Sequence, residues 1–107
     1  MPNKYFAKKQ YYKGIRFDSK KELGRYLILE QMQMKNYITE LEIHPKFPLM
    51  VNGVKIGRYT ADFRYITNKG EVIVEDVKSK ITKTRDYMLR KKILSTYNPP
   101  IIITEIL

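Results

Sequence analysis

Asp62, Asp76 and Lys78 are the residues whose types and spacing could do chemistry, because a short turn brings them together. The segments Tyr59-Thr60-Ala61-Asp62-Phe63 and Val74-Glu75-Asp76-Val77-Lys78 flank Thr67-Asn68-Lys69-Gly70. A three-residue Asn-Lys-Gly loop ending in a left-handed glycine is a favoured hairpin connection. If Thr67 pairs with Glu71, counting back sets Asp62 opposite Asp76 and Thr60 opposite Lys78. The period of two then puts Asp76 and Lys78 on one face and Glu75 on the other. A four-residue loop would instead pair Glu75 with Asp62. Like charges opposed across a ladder are destabilising by up to about 1 kcal/mol, and a bound divalent cation reverses that sign.

The composition limits which cation that is. With no cysteine there is no disulfide framework and no thiolate zinc site, and one histidine cannot build a histidine cluster. The expectation is a metal held by oxygen, hence Mg2+, with Mn2+ able to substitute, and no small-molecule cofactor. The chain of 107 residues, 43% hydrophobic, fits a single domain over residues 1–107 with a modest core. No apolar run approaches the roughly 20 residues of a membrane span, and the first residues lack the apolar centre of a signal peptide. The expectation is a soluble, cytoplasmic protein with no membrane partner.

The net charge of +10 is concentrated in two segments. Residues 1–21 carry Lys4, Lys8, Lys9, Lys13, Arg16, Lys20 and Lys21 against Asp18 alone. Residues 78–92 carry Lys78, Lys80, Lys83, Arg85, Arg90, Lys91 and Lys92 against Asp86 alone. The rest of the chain is slightly acidic, so the positive field comes from these blocks. Phosphate backbones are the usual partner of such a field, since neutralising them releases condensed counterions. Lys4, Lys8, Lys9, Lys13, Lys20, Lys80, Lys83, Arg85, Lys91 and Lys92 are the candidate nucleic-acid contacts. A solubilising surface is the alternative. Tyr5, Tyr11 and Tyr12 could stack on bases or pack in the core.

The elements that must position these groups follow from periodicity. Residues 1–10 read as a basic arm, and Tyr11 to Phe17 as an extended turn around Lys13-Gly14. A helix is expected from Ser19 to Asn36, with Leu23, Tyr26, Leu27, Met34 and Tyr37 recurring at helical spacing and Ile28, Leu29 and Met32 widening the stripe. Ile38 to Ile43 and Phe47 to Val51 are short strands, and Pro45 and Pro48 belong at a strand end or edge. The hairpin runs from Val54 to Lys78, and Val72-Ile73-Val74, apolar on both faces, reads as central. A second helix from Lys83 to Tyr97 carries Leu89, Ile93 and Tyr97 as core and stops at Asn98-Pro99-Pro100. Ile101-Ile102-Ile103 opens a last strand. The fold class is α/β or α+β with a mixed sheet flanked by helices.

This order, with the residues at its ends, resembles the PD-(D/E)xK nuclease superfamily, and more narrowly a family of short phage-encoded endonucleases near the Holliday junction resolving and restriction-type branches. The matching residues are Phe17-Asp18-Ser19-Lys20-Lys21-Glu22, Pro45-Lys46-Phe47-Pro48-Leu49, Ala61-Asp62-Phe63 and Val74-Glu75-Asp76-Val77-Lys78, spread between Lys4 and Ile106. Ser79 stands where the narrower family usually has glycine, and Ala61 replaces the superfamily's first proline. The resemblance implies a restriction-endonuclease-like core ordered helix, three strands, helix, strand. It implies that Asp62 and Asp76, with the main-chain carbonyl of Val77, hold Mg2+, and that Lys78 positions water and stabilises charge on the phosphate. Glu22 would bind a second ion or orient water. The implied activity is metal-dependent cleavage of branched or structured DNA in phage recombination, replication or packaging, carried out by a homodimer because one such site cuts one strand.

Each residue also has a plainer reading. Ser19-Lys20-Lys21-Glu22 is a capping box, which alone accounts for Ser19 and Glu22. Asp62 could lie on a solvated face with Arg58, Thr60 and Arg64, and Asp76 with Lys78 could be an exposed pair worth under about 1 kcal/mol. His44, alone after the first strand, reads more readily as structural than catalytic. A DNA-binding accessory module without activity is the second functional hypothesis, and an RNA-directed nuclease the third.

Overall fold

The computed structural model describes residues 9–78 and 84–107. The chain is a mixed α+β protein. A hairpin of β1 (Gln10–Tyr12) and β2 (Ile15–Phe17) leads into α1 (Lys20–Met34). Five strands follow: β3 (Ile38–Ile43), β4 (Lys46–Val51), β5 (Val54–Thr60), β6 (Phe63–Thr67) and β7 (Val72–Val77). α2 (Arg85–Ser95) and β8 (Ile103–Ile106) complete it. The main sheet has the order β3-β6-β7-β8, antiparallel except for the parallel pair β7 and β8. Such a pair needs a crossover, and α2 provides it.

Two type I′-like turns close the outer hairpins, each needing two residues with positive φ. Lys13 (φ 49) and Gly14 (φ 78) turn β1 into β2, and Asn52 (φ 50) and Gly53 (φ 78) turn β4 into β5. The expected Asn68-Lys69-Gly70 loop forms with Gly70 at φ 82, and Thr67 N–H donates to the Glu71 carbonyl at 2.8 Å. β6 and β7 then pair in the anticipated register, ending at Phe63 opposite Glu75. β7 is central in the sheet, although Val72 is exposed.

The expected hairpin from Val54 to Lys78 is not a single element. Its first part, β5, pairs with β4, so Thr60 faces Lys46 and not Lys78. The physical reason is a bend. Ile43 faces Phe63 and Lys46 faces Thr60 in one continuous count, so β3-β4 and β5-β6 form one long antiparallel ladder bent at His44-Pro45 and Ala61-Asp62. Two main-chain bonds hold the bend: His44 N–H to the Asp62 carbonyl at 2.9 Å and Ala61 N–H to the Pro45 carbonyl at 3.0 Å. Pro48, which has no N–H to give, lies in the two-stranded β4-β5 part.

The main sheet carries a core on each face. α1 covers Phe63, Tyr65 and Ile38 with Tyr26 and Leu29, joined by Phe17. α2 covers Val74, Ile103, Ala61 and the bent-over Phe47, Leu49 and Tyr59 with Tyr87 and Leu94. Both helical stripes are narrower than the periodicity suggests. On α1 the buried residues are Glu22, Tyr26 and Leu29, while Leu27, Ile28 and Met34, and Tyr37 beyond the helix, are exposed. On α2 Leu89 is exposed, and Ile93 and Tyr97 only flank the core. A helix lying on one side of a sheet buries a narrow strip, and the spare apolar residues fall outside it. None of the described helices is long and apolar enough to cross a membrane. The expected basic arm at 1–10 lies almost wholly outside the described residues.

Candidate metal and phosphodiester site

The bend in the ladder lines up ionisable residues from neighbouring strands. His44 and Asp62 continue the count in which Ile43 faces Phe63. Asp62 and Asp76 continue the count in which Phe63 faces Glu75, and Asp76 faces Glu105 across the parallel pair. His44, Asp62, Asp76 and Glu105 thus form one row across the sheet, with the first turn of α1 bringing Glu22 to its His44 end.

Main-chain donors fix the centre of the row. Asp62 N–H donates to Asp76 Oδ1 at 3.0 Å, and Val77 N–H donates to Asp62 Oδ2 at 2.7 Å. The other Asp76 oxygen, Oδ2, is buried and has no hydrogen-bond partner among the described residues. Lys78 Nζ stands 3.7 Å from it, beyond hydrogen-bond reach, and lies over the Tyr87 ring at 3.9 Å from the centroid. Burial pushes the Asp76 carboxyl up to about 6 against the pull of Lys78. Burial also raises Asp62, opposed by the Val77 N–H and by Lys78. Buried, under-partnered carboxylates of this kind are the donor set a divalent cation satisfies.

Glu22 joins the row from α1. Ser19 Oγ accepts the Glu22 N–H at 3.0 Å, so the cap forms, but the Glu22 carboxylate turns away from it to His44, with Oε1 and Nε2 2.7 Å apart. Only half of the capping box is used. Glu22 is 4% exposed, and burial together with the negative charge of Asp62 pushes its carboxyl up to about 7. Ligand atoms of Glu22, His44 and Asp62 all lie within 4.8 Å of one another. The expectation of an all-oxygen donor set therefore does not describe this group, and His44, read from sequence as structural, stands inside it. Its left-handed backbone, φ 55, leaves no signal in the sequence.

Glu75 is on the opposite face, as alternation requires. There it is 1% exposed, held by Arg25 through bonds of 2.8 and 2.6 Å and by the Tyr65 hydroxyl. This buried pair ties α1 to β7 behind the row, and Lys21 Nζ adds a bond to the Lys78 carbonyl at 2.8 Å. Arg25 and Tyr65 do not stand out in the sequence, since a half-buried arginine has no periodic signature.

The expected nucleic-acid contacts separate into groups. Lys9, Lys20, Arg85 and Lys92 are exposed. Lys13, exposed as well, pairs with Glu30 at 3.4 Å, and the less exposed Lys91 pairs with Glu105 at 3.4 Å. Lys4, Lys8, Lys80 and Lys83 lie outside the described residues, as does Ser79. A cleft of about 460 Å3 is lined by Lys78 together with Arg58, Thr60, Asp86, Tyr87 and Arg90; Lys78 is the residue it shares with the site. A groove of the same volume, about 460 Å3, along Met88, Leu89 and Lys92 on the outer side of α2 includes no residue of the row and not Lys78.

No curated protein and no solved structure matches the chain. The profile of one family, described as a protein of unknown function (DUF1064), matches residues 2–104. With nearly its whole length covered by that profile, the chain belongs to the DUF1064 family.

Proposed function

We propose that the protein is a metal-dependent endodeoxyribonuclease of the PD-(D/E)xK kind, acting on branched or structured DNA. The observation that carries this is Asp76 Oδ2, buried without a hydrogen bond among the described residues and 3.7 Å from Lys78 Nζ. The element order supports it. Setting β1-β2 and β4-β5 aside leaves α1, three antiparallel strands, α2 and a parallel strand, an order compatible with the core that the resemblance implies.

Asp62 and Asp76 would hold Mg2+ or Mn2+, which when bound polarises a scissile phosphodiester and acidifies a water. The remaining work belongs to side chains already in place. The Val77 N–H keeps the Asp62 carboxylate aimed, and the Asp62 N–H does the same for Asp76. Lys78, steadied over Tyr87, offers a charge to the non-bridging phosphate oxygens and orients the attacking water. Arg58 in the adjoining cleft draws the backbone in, and the exposed Lys20, Arg85 and Lys92 extend the positive surface. Cutting both strands takes two sites, so the proposal includes a pair of chains.

The test is cleavage of four-way junction, flap, duplex and single-stranded DNA side by side, with Mg2+ and with chelator. Metal-dependent cutting, strongest on the branched substrates, is expected. Tight binding with no cutting in any metal would make the protein a DNA-binding module instead.

A further inference from the structure

Resting on the metal centre proposed above, a second feature of the row points to which cation it selects. Glu22 comes from α1, His44 from the bend after β3 and Asp62 from the bend before β6, yet their ligand atoms converge within 4.8 Å. The ladder places His44 opposite Asp62, and α1 has to be docked against it for Glu22 to join them. Glu22 is 4% exposed, and among the described residues its carboxylate meets the His44 imidazole, with no lysine or arginine at ion-pair distance. The next residue in the row, Asp76, adds a buried oxygen with no hydrogen bond among the described residues. His44 itself sits at φ 55, a conformation that costs a residue other than glycine on the order of 1 kcal/mol. Its N–H bonds the Asp62 carbonyl at 2.9 Å while its imidazole meets Glu22, so the one residue links the other two.

We propose that His44, Glu22 and Asp62 form a mixed nitrogen and oxygen cation site, sharing Asp62 with the Asp62-Asp76 position, and that His44 makes the protein prefer Mn2+ to Mg2+. Imidazole is a borderline ligand. It adds affinity for transition-series divalent ions and little for Mg2+, which takes oxygen and keeps its water. The 2.7 Å contact between Glu22 and His44 is then the resting state of two ligands that turn to the ion when it arrives.

The chain has a single histidine and no cysteine, so a nitrogen signal at a bound ion has one assignment. Tag-free protein loaded with Mn2+ is examined by pulsed electron paramagnetic resonance, with and without 15N-histidine. Imidazole 14N coupling that changes to 15N coupling with the label is the expected result. His44→Gln should lose the coupling, bind Mn2+ about tenfold more weakly and bind Mg2+ almost unchanged, narrowing the Mn2+ to Mg2+ ratio. Mn2+ bound without nitrogen coupling in the wild type overturns the role of His44 and leaves the Asp62-Asp76 centre standing. Failure to bind Mn2+ at all overturns both.

Discussion

Asp62 and Asp76 hold each other through the main chain: the Asp62 amide donates to the Asp76 carboxylate, and the amide of Val77, next to Asp76, donates to the Asp62 carboxylate. Two acidic side chains that repel at this spacing are thus kept side by side by donors that are part of the sheet. The arrangement spends its main-chain bonds on one oxygen of each and leaves Asp76 Oδ2 without a hydrogen bond among the described residues, 3.7 Å from Lys78 Nζ.

Protonation should therefore stabilise the metal-free protein. Glu22 is pushed up to about 7 and Asp76 to about 6, from ordinary values of 4.5 and 3.8. The folded state then holds protons that the unfolded chain releases. This stabilisation is complete below the unfolded pKa values and is lost as pH rises through the folded ones, with each group contributing on the order of 2 kcal/mol. Denaturant midpoints in chelator should be higher near pH 5 than near pH 7.5, and saturating Mn2+ should remove the difference. A midpoint that rises with pH in chelator contradicts the assignment.

Glu22 and Ser19 serve different ends of the same turn. Ser19→Ala removes the cap to the Glu22 N–H and should cost about 1 kcal/mol while keeping cleavage per folded molecule. Glu22→Gln keeps the fold and should lower turnover by at least about tenfold, the scale at which support of a metal centre is felt. Thermal melts with single-turnover rates on both variants separate the roles.

The Arg25-Glu75 pair should be worth more to stability than any surface ion pair. Arg25→Ala strands a carboxylate that is 1% exposed and should cost about 3–5 kcal/mol. Arg25→Leu combined with Glu75→Leu should recover part of that loss. Urea unfolding of the single and double variants measures the coupling.

Lys91 and Lys92 are adjacent in sequence but should respond differently to charge reversal. Lys92→Glu should weaken DNA binding and shift the slope of log affinity against log salt by roughly 0.9 for each phosphate left unneutralised, with an unchanged melting temperature. Lys91→Glu faces Glu105, the acceptor of the Tyr87 hydroxyl at 2.7 Å, and should destabilise the fold by on the order of 1 kcal/mol. Salt titrations and melts on the two variants decide it.

The Asn68-Lys69-Gly70 loop makes the register of Asp62 and Asp76 legible, because the turn type fixes the pairing and the pairing fixes the faces. Asn52-Gly53 carries an equally readable signal for the β4-β5 turn, and a hairpin drawn from Val54 to Lys78 without it gives β5 the wrong partner. His44 cannot be placed from periodicity. It enters the site through a bend set by its own left-handed backbone and by the run from Ala61 to Asp62, neither of which leaves a pattern. Leu27, Ile28 and Leu89 read as core in the sequence because helical spacing reports an apolar face without saying how much of it a sheet covers.

The most direct test of the central claim compares wild type with Asp76→Asn, measuring Mg2+- or Mn2+-dependent nicking of supercoiled plasmid alongside DNA affinity in chelator. Replacing one carboxylate oxygen with an amide removes a ligand and a negative charge beside phosphate. Nicking should disappear while affinity stays equal or rises. Cleavage by the purified variant at the wild-type rate would contradict the account.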